Sequence, residues 1–136
     1  MVPLVLVLAA VLFGLQTGER TGQTQPPAEP GHEATLYVSN QSFDRGLVDI
    51  RIEIDGREVV HDDFAVENQH NWVEHTLRLE PGRHTLVARS QRGDAILRQE
   101  FGVRGRTWMV VDYWCCGEPS DPQLTFYASR TPIGFA

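Results

Sequence analysis

Apolar and polar residues alternate strictly along several short stretches of the chain, as in strands with one buried and one solvated face. The alternation is clearest in residues 48–54 (VDIRIEI) and 73–79 (VEHTLRL). Asp55-Gly56 follows the first stretch and favours the positive φ angles of a tight type I′ hairpin. Pro81-Gly82 follows the second and fits the central positions of a type II turn. We therefore expect two successive β-hairpins.

The same alternation recurs after residue 34 and gives about eight candidate strands. Turns rich in Gly and Pro separate them, and no stretch has the 3.6-residue period of a helix. Short links favour antiparallel pairing, because parallel strands need long crossovers. The predicted fold class is all-β, a single antiparallel β-sandwich of about seven to eight strands. The candidate strands are residues 35–39, 48–54, 57–64, 73–79, 84–89, 95–103, 107–116 and 123–129.

The first 33 residues lack this alternation. Residues 1–18 contain a run of Leu, Val and Ala that has the length of a secretory signal core, shorter than the roughly 20 residues of a spanning helix. They are predicted to be a signal peptide or a membrane anchor, so the protein is expected to be periplasmic, extracellular or membrane-anchored. Residues 19–33 are expected to be a disordered linker, because they contain few apolar residues. The β-sandwich domain then covers residues 34–130, and residues 131–136 form a C-terminal tail.

The length of the chain, its net charge and its lack of known catalytic motifs exclude several classes of function. A chain of 136 residues has room for one ordinary domain. Its formal net charge of −6 argues against a nucleic-acid partner, which calls for a basic surface. The chain has no nucleophile elbow and no Gly-rich phosphate loop. We therefore predict a protein that is not an enzyme and that binds no cofactor.

The candidate strand at residues 107–116 is apolar on both faces. Met109, Val111, Tyr113 and Cys115 share one phase and are assigned to the core. The other phase holds Trp108, Val110, Asp112, Trp114 and Cys116, which is too apolar for an ordinary solvated face. Two interpretations stay open. Either the C-terminal tail or a long loop covers Trp108 and Trp114, or the two rings form an exposed platform for a glycan or a protein partner.

The only two cysteines, Cys115 and Cys116, are adjacent. An extended backbone keeps neighbouring side chains on opposite faces, so a vicinal disulfide needs a turn, which Gly117 makes plausible. The alternative is two free thiols without a chemical role. The candidate binding face comprises Trp108, Trp114, Cys115, Cys116, Gly117, Glu118 and Pro119.

No metal site is predicted, since neither His61-Asp62-Asp63 nor the His70/His75 pair has a recognised ligand spacing. Asp112 is the one carboxylate with a candidate functional role, because apolar neighbours raise a carboxyl pKa. The usual alternative is an Asp whose oxygens are satisfied by nearby donors.

Two short segments of the chain also resemble the motifs of a known protein family. Residues 52–59 (IEIDGREV) and 79–87 (LEPGRHTLV) resemble the two hairpin motifs of PEGA-type bacterial surface modules, which are related in architecture to transthyretin-like and immunoglobulin-like sandwiches. The resemblance covers residues 48–89 and implies an exported, non-catalytic module. The function expected is therefore binding of a protein partner or surface polymer at the cell envelope. The alternative is a small thiol- or metal-binding envelope protein centred on Cys115 and Cys116.

Overall fold

The structure is a computed structural model that describes residues 31–66, 71–116 and 121–135. Within these ranges it is all-β, with eight strands in two four-stranded sheets, which confirms the predicted fold class at this level. The strands are β1 (His32–Asn40), β2 (Leu47–Ile54), β3 (Arg57–Ala65), β4 (Val73–Leu79), β5 (Gly82–Ser90), β6 (Ala95–Val103), β7 (Thr107–Trp114) and β8 (Gln123–Ser129).

The N-terminal predictions fall mostly outside the described residues. The expected signal segment, 1–18, lies wholly outside them, and so does most of the expected linker, 19–33. The first strand begins at His32, inside the segment that was expected to be linker.

The eight strands pair in the orders β4-β1-β7-β8, here called sheet 1, and β3-β2-β5-β6, here called sheet 2. One part of the sequence prediction is wrong, because the pairing is not antiparallel throughout. Strand β1 runs parallel to β7, with Ala34 opposite Thr107 and Val38 opposite Val111. The long crossover that a parallel pair needs is present, since the chain forms four strands of sheet 2 and β4 before it returns as β7.

The first expected hairpin is present and the second is not. Strands β2 and β3 pair antiparallel, and Asp55 and Gly56 have φ angles of 52° and 77°, as a type I′ turn requires. Strand β4 pairs with β1 in sheet 1, whereas β5 pairs with β2 and β6 in sheet 2. Glu80 and Pro81 therefore carry the chain from one sheet to the other. Gly82 still has a positive φ, 124°.

The core lies between the sheets and is formed by the apolar phase of each strand. Sheet 2 contributes side chains such as Ile50, Ile52 and Leu86, which are fully buried. Sheet 1 contributes Leu36 and Val38 of β1 together with the phase of β7 assigned to the core, namely Met109, Val111, Tyr113 and Cys115 just after the strand. That assignment is confirmed. It leaves the opposite phase of β7 on the outer side of sheet 1.

Candidate binding face on the outer side of sheet 1

Trp108 and Trp114 both lie on the outer side of sheet 1, because they share the strand phase opposite to the core residues of β7. The adjacent edge strand β8 places Tyr127 beside Val110 and Thr125 beside Asp112 on the same side. Trp114 is 38% exposed and Tyr127 is 61% exposed, while Trp108 is half-buried. Aromatic surface therefore follows β7 and β8 over most of their length.

The C-terminal tail covers the other part of this side. The Phe135 ring stacks on Trp72, with ring centroids 4.0 Å apart and an interplanar angle of 22°. It also meets Tyr37 of β1 edge-on, with centroids 4.9 Å apart. Val110, on the outer phase between these rings and Tyr127, is only 7% exposed. We call the outer aromatic residues of sheet 1 the aromatic face: Tyr37, Trp72, Trp108, Trp114, Tyr127 and Phe135.

One interpretation has the C-terminal tail cover Trp108 and Trp114, but the ring contacts of the tail among the described residues are with other side chains. The tail does fold over the aromatic face, but Phe135 contacts Tyr37 and Trp72 on the β1 and β4 side. The Arg106 guanidinium lies 5.0 Å from the centre of the Trp108 ring and covers part of it. Trp114 keeps more than a third of its surface exposed. The tail therefore divides the face into a covered half and an accessible half.

Asp112 is the polar centre of the aromatic face. Its Oδ1 accepts a hydrogen bond from the Ser39 hydroxyl at 2.5 Å and another from the Trp72 indole N–H at 2.9 Å. Burial raises the pKa of Asp112, and the bonds from Ser39 and Trp72 lower it only in part, so the pKa stays above its usual range. Both bonds end on Oδ1. Among the described residues no hydrogen bond ends on Oδ2.

Trp114 is held in place by the side chain of Thr125, the β8 residue that lies opposite Asp112. Its indole N–H donates to the Thr125 hydroxyl at 3.1 Å, and Thr125 donates in turn to the Asp112 carbonyl at 3.4 Å. A ring tied in this way loses little conformational freedom when a ligand stacks on it, which lowers the cost of binding. The exposed side of the Trp114 ring is thus a fixed surface rather than a freely rotating side chain.

Cys115 and Cys116 follow β7 at the end of the sandwich. Their sulfur atoms lie within bonding distance and form a vicinal pair, with Cα atoms 3.6 Å apart. Cys116 has a φ of 75°, the local turn that brings neighbouring side chains together. Cys115 is buried and its carbonyl accepts a bond from the backbone N–H of Phe43, whose ring is 72% exposed. The remaining members of the candidate binding face, Gly117, Glu118 and Pro119, lie outside the described residues.

The histidines and the paired carboxylates of β3 do not assemble a metal site in the described part of the chain, where no cluster of three or more potential ligands occurs. His61 is exposed and lies 3.7 Å from Glu58. The His75 Nε2 atom is buried and has no hydrogen-bond partner among the described residues. His70, the other member of the considered pair, lies outside them.

Sequence reasoning missed four members of the aromatic face. Tyr37 and Tyr127 lie on the outer phase of their strands, so their side of the sheet follows from alternation once β1, β7 and β8 are known to be neighbours. Trp72 precedes β4 and Phe135 follows β8, in segments without regular structure. No periodicity fixes the direction of a side chain there, and only the three-dimensional arrangement reveals their contact.

No protein-family model matches the chain, and no curated protein matches it either. Within the described ranges, no helix is both long enough and apolar enough to span a bilayer.

Proposed function

We propose that this chain is an exported, non-catalytic β-sandwich module whose aromatic face binds an extended glycan at the cell envelope. The observation that carries the proposal is the row of accessible rings on β7 and β8, with Trp108, Tyr127 and Trp114 on the same side of sheet 1. Trp114 lies six positions after Trp108, which is about 20 Å along β7. That span suits an elongated ligand better than a small one.

The mixture of groups on the face favours a glycan over a protein. Sugar rings have flat apolar faces that stack on aromatic rings, and hydroxyl groups that need hydrogen-bond partners. The face supplies both, because the strand register places Asp112 and the edge-strand residues Gln123 and Ser129 between or beside the rings. A protein-binding patch would instead be expected to have a contiguous apolar centre with a polar rim.

Sedimentation with insoluble polysaccharides tests this proposal. The probes are peptidoglycan sacculi, chitin and cellulose, each incubated with the purified protein and pelleted. We expect at least one of them to carry the parent protein into the pellet, and Trp114→Ala and Tyr127→Ala to weaken binding at least about tenfold, as for central anchor residues. Ile96→Ala is the matched control, since Ile96 is an apolar residue of sheet 2 that is 68% exposed.

Two results would contradict glycan binding. One is a parent protein that stays in the supernatant with all three polysaccharides. The other is an equal loss of binding in Trp114→Ala and Ile96→Ala, which would show adhesion without a specific face. A third result is that the protein binds an envelope protein instead, and that Trp114→Ala alone loses this binding. The ligand of the aromatic face would then be a protein and not a glycan.

The proposal that the protein is exported depends on residues 1–18 and is tested separately. N-terminal sequencing of the protein recovered from its host should show a mature chain that begins after about residue 18, as signal-peptide removal requires. An intact N-terminus in the membrane fraction would favour an uncleaved anchor, and an intact N-terminus in the cytosol would contradict export.

A second candidate function is thiol chemistry at Cys115 and Cys116. It is supported by the adjacency of the two cysteines at the turn after β7 and by the exposure of Cys116. Thiol titration of the exported protein with and without a dithiol reductant separates the cases. Two thiols that appear only after reduction support a disulfide, and protection of the reduced thiols by Zn²⁺ would support a metal-binding role.

A further inference from the structure

A cavity of about 500 Å³ opens where the edge strands β3 and β4 face each other across the sandwich, far in sequence from the aromatic strands β7 and β8. Its apolar wall comes from both sheets: Ile54 and Val59 of sheet 2, and Leu77 and Leu79 of sheet 1. Ile54 and Leu79 are buried, whereas Val59 and Leu77 are only partly so. A volume of this size lies within the range of small-molecule sites, roughly 300–1,000 Å³.

One part of the rim is the His84 imidazole, whose two ring nitrogens both face oxygen acceptors. His84 Nδ1 lies 2.5 Å from Asp55 Oδ2, and its Nε2 lies 2.7 Å from the Glu80 carbonyl oxygen. A carboxylate and a carbonyl can only accept, so the two contacts are satisfied together only when the ring is protonated and positively charged. The Asp55 carboxylate also accepts the backbone N–H of Thr85 at 2.9 Å. The charges of Asp55 and His84 thus offset each other.

Three other charged side chains line the cavity: Arg57, Arg78 and Glu80. Among the described residues Arg57 makes no ion pair and no side-chain hydrogen bond, and Arg78 donates only to the Gly31 carbonyl. Neither guanidinium has a carboxylate partner in that part of the chain. With Asp55 and His84 balanced, two positive charges and one negative charge remain at the mouth of an apolar cavity.

We propose that this cavity binds a single-chain anionic amphiphile, a medium-length alkyl carboxylate whose chain contacts the apolar wall and whose head binds the two guanidinium groups. Arginine presents paired N–H donors in a planar fork that matches a carboxylate. The site differs from the proposed glycan site in location and in ligand chemistry. It therefore stands or falls independently of the aromatic face.

The test uses decanoate as the carboxylate probe, below its micelle-forming concentration, and decanamide as its uncharged counterpart. Each is titrated into the full chain labelled with ¹⁵N, and the backbone amides of Asp55, Leu77 and Leu79 report binding. We expect saturable shifts of these amides with decanoate, and about tenfold weaker binding of decanamide, as for loss of a charge-assisted hydrogen bond.

Variants test the assignment of the head group and of the wall. Combined Arg57→Gln and Arg78→Gln substitutions should weaken decanoate binding about tenfold or more, while Arg104→Gln, at an exposed site outside the cavity, should leave it unchanged. Leu77→Trp should fill the cavity and abolish the shifts. The proposal is overturned if decanoate shifts other amides only, if decanamide binds as tightly, or if the folded double variant binds like the parent. The comparison of the two probes on the parent protein does not depend on how the variants fold.

Discussion

The Tyr113 hydroxyl donates a 2.7 Å hydrogen bond to the carbonyl of Gly93, joining the two sheets through the core. Tyr113 belongs to β7 of sheet 1 and is fully buried, while Gly93 lies in the turn between β5 and β6 of sheet 2. The backbone N–H of Gly93 also donates to the Ser90 hydroxyl at 2.9 Å. A buried tyrosine keeps its hydroxyl paired, and here the pair fixes the position of a turn.

Gly93→Ala should destabilise the protein by about 1–3 kcal/mol, the range for an overpacked core. A Cβ atom at this position would lie 2.6 Å from a Tyr113 ring carbon and would also collide with the Ser90 hydroxyl. Chemical denaturation followed by tryptophan fluorescence measures the change. Gly102→Ala is the matched control, since a Cβ there meets nothing within 4 Å. Equal stability of the two variants would contradict the close approach of Tyr113.

Gly56→Val should destabilise the β2–β3 hairpin by a purely backbone effect. Gly56 has a φ of 77° and open space around its Cα, so the cost, about 1–2 kcal/mol, comes from the left-handed conformation alone. Gly82→Val should also destabilise, because its φ is 124°, although Gly82 joins two sheets rather than two paired strands. Thermal melting compares both with Gly102→Val, which should melt close to the parent. Parent-like melting of Gly56→Val would contradict the turn.

The contact between His84 and Asp55 should make stability depend on pH. Burial lowers the pKa of His84, but its bonds to the Glu80 carbonyl and Asp55 raise it more, so the pKa lies above the usual 6.5. Burial raises the pKa of Asp55, but its bonds to Thr85 and His84 lower it more, so it lies below 3.8. Stability from His84 is then lost as pH rises through its raised pKa, and stability from Asp55 is lost as pH falls through its lowered pKa.

The contribution of this pair is therefore largest between about pH 4 and pH 6.5. Urea midpoints of the parent and of His84→Gln should differ most in this window, and the difference should shrink above it. His61→Gln is the control, because His61 is exposed and has only a long contact with Glu58. A difference that grows on going to alkaline pH would contradict the assigned charge state of His84.

The strands could be predicted closely because alternation is a local property of the chain. The predicted limits of β4, β6 and β8 agree with the structure at every residue. Alternation gives the buried face of a strand but not the strand that pairs with it. The predicted hairpin of β4 and β5 is therefore wrong, since the two strands belong to different sheets. The parallel pairing of β1 with β7 was missed for the same reason, since it joins residues about 70 positions apart.

The site could be predicted only where it lies on strands. The phase of β7 placed Trp108, Asp112 and Trp114 on one side, and the structure agrees. The partners of Asp112 could not be derived, because Ser39 and Trp72 come from other segments and meet it only in the folded chain. The same holds for Asp49, whose carboxylate accepts the backbone N–H groups of Gln91 and Arg92 and so caps the turn that contains Gly93.

Phe135→Ala should expose Trp72 with only a modest loss of stability. The ring is 38% exposed and its main contacts are aromatic, so we expect a cost of about 0.5–1.5 kcal/mol. Acrylamide quenching of tryptophan fluorescence should increase relative to the parent, because the covering ring is gone. Ile133→Ala, in the same tail, is the control. Unchanged quenching in Phe135→Ala would show that the tail does not shield Trp72 in solution.

Asp112→Asn should become more stable relative to the parent as pH rises from about 4 to about 7. Burial raises the pKa of Asp112 above 3.8 despite the hydrogen bonds from Ser39 and Trp72. A raised pKa means that the folded protein holds the proton more tightly than the unfolded chain, so the stability it gives is lost as pH rises through that pKa. Asparagine is neutral throughout, and its Oδ1 can still accept both bonds.

Urea denaturation of the parent and of Asp112→Asn at a series of pH values measures this trend. Asp121→Asn removes one charge at an exposed position and controls for the change in net charge. The expected result is a stability difference between Asp112→Asn and the parent that moves in favour of the variant towards neutral pH, with no such trend for Asp121→Asn. A difference that moves in favour of the parent would mean that the folded protein stabilises the Asp112 carboxylate. The face would then present a charged acceptor strengthened by Ser39 and Trp72, rather than a carboxyl group held back from ionising by burial.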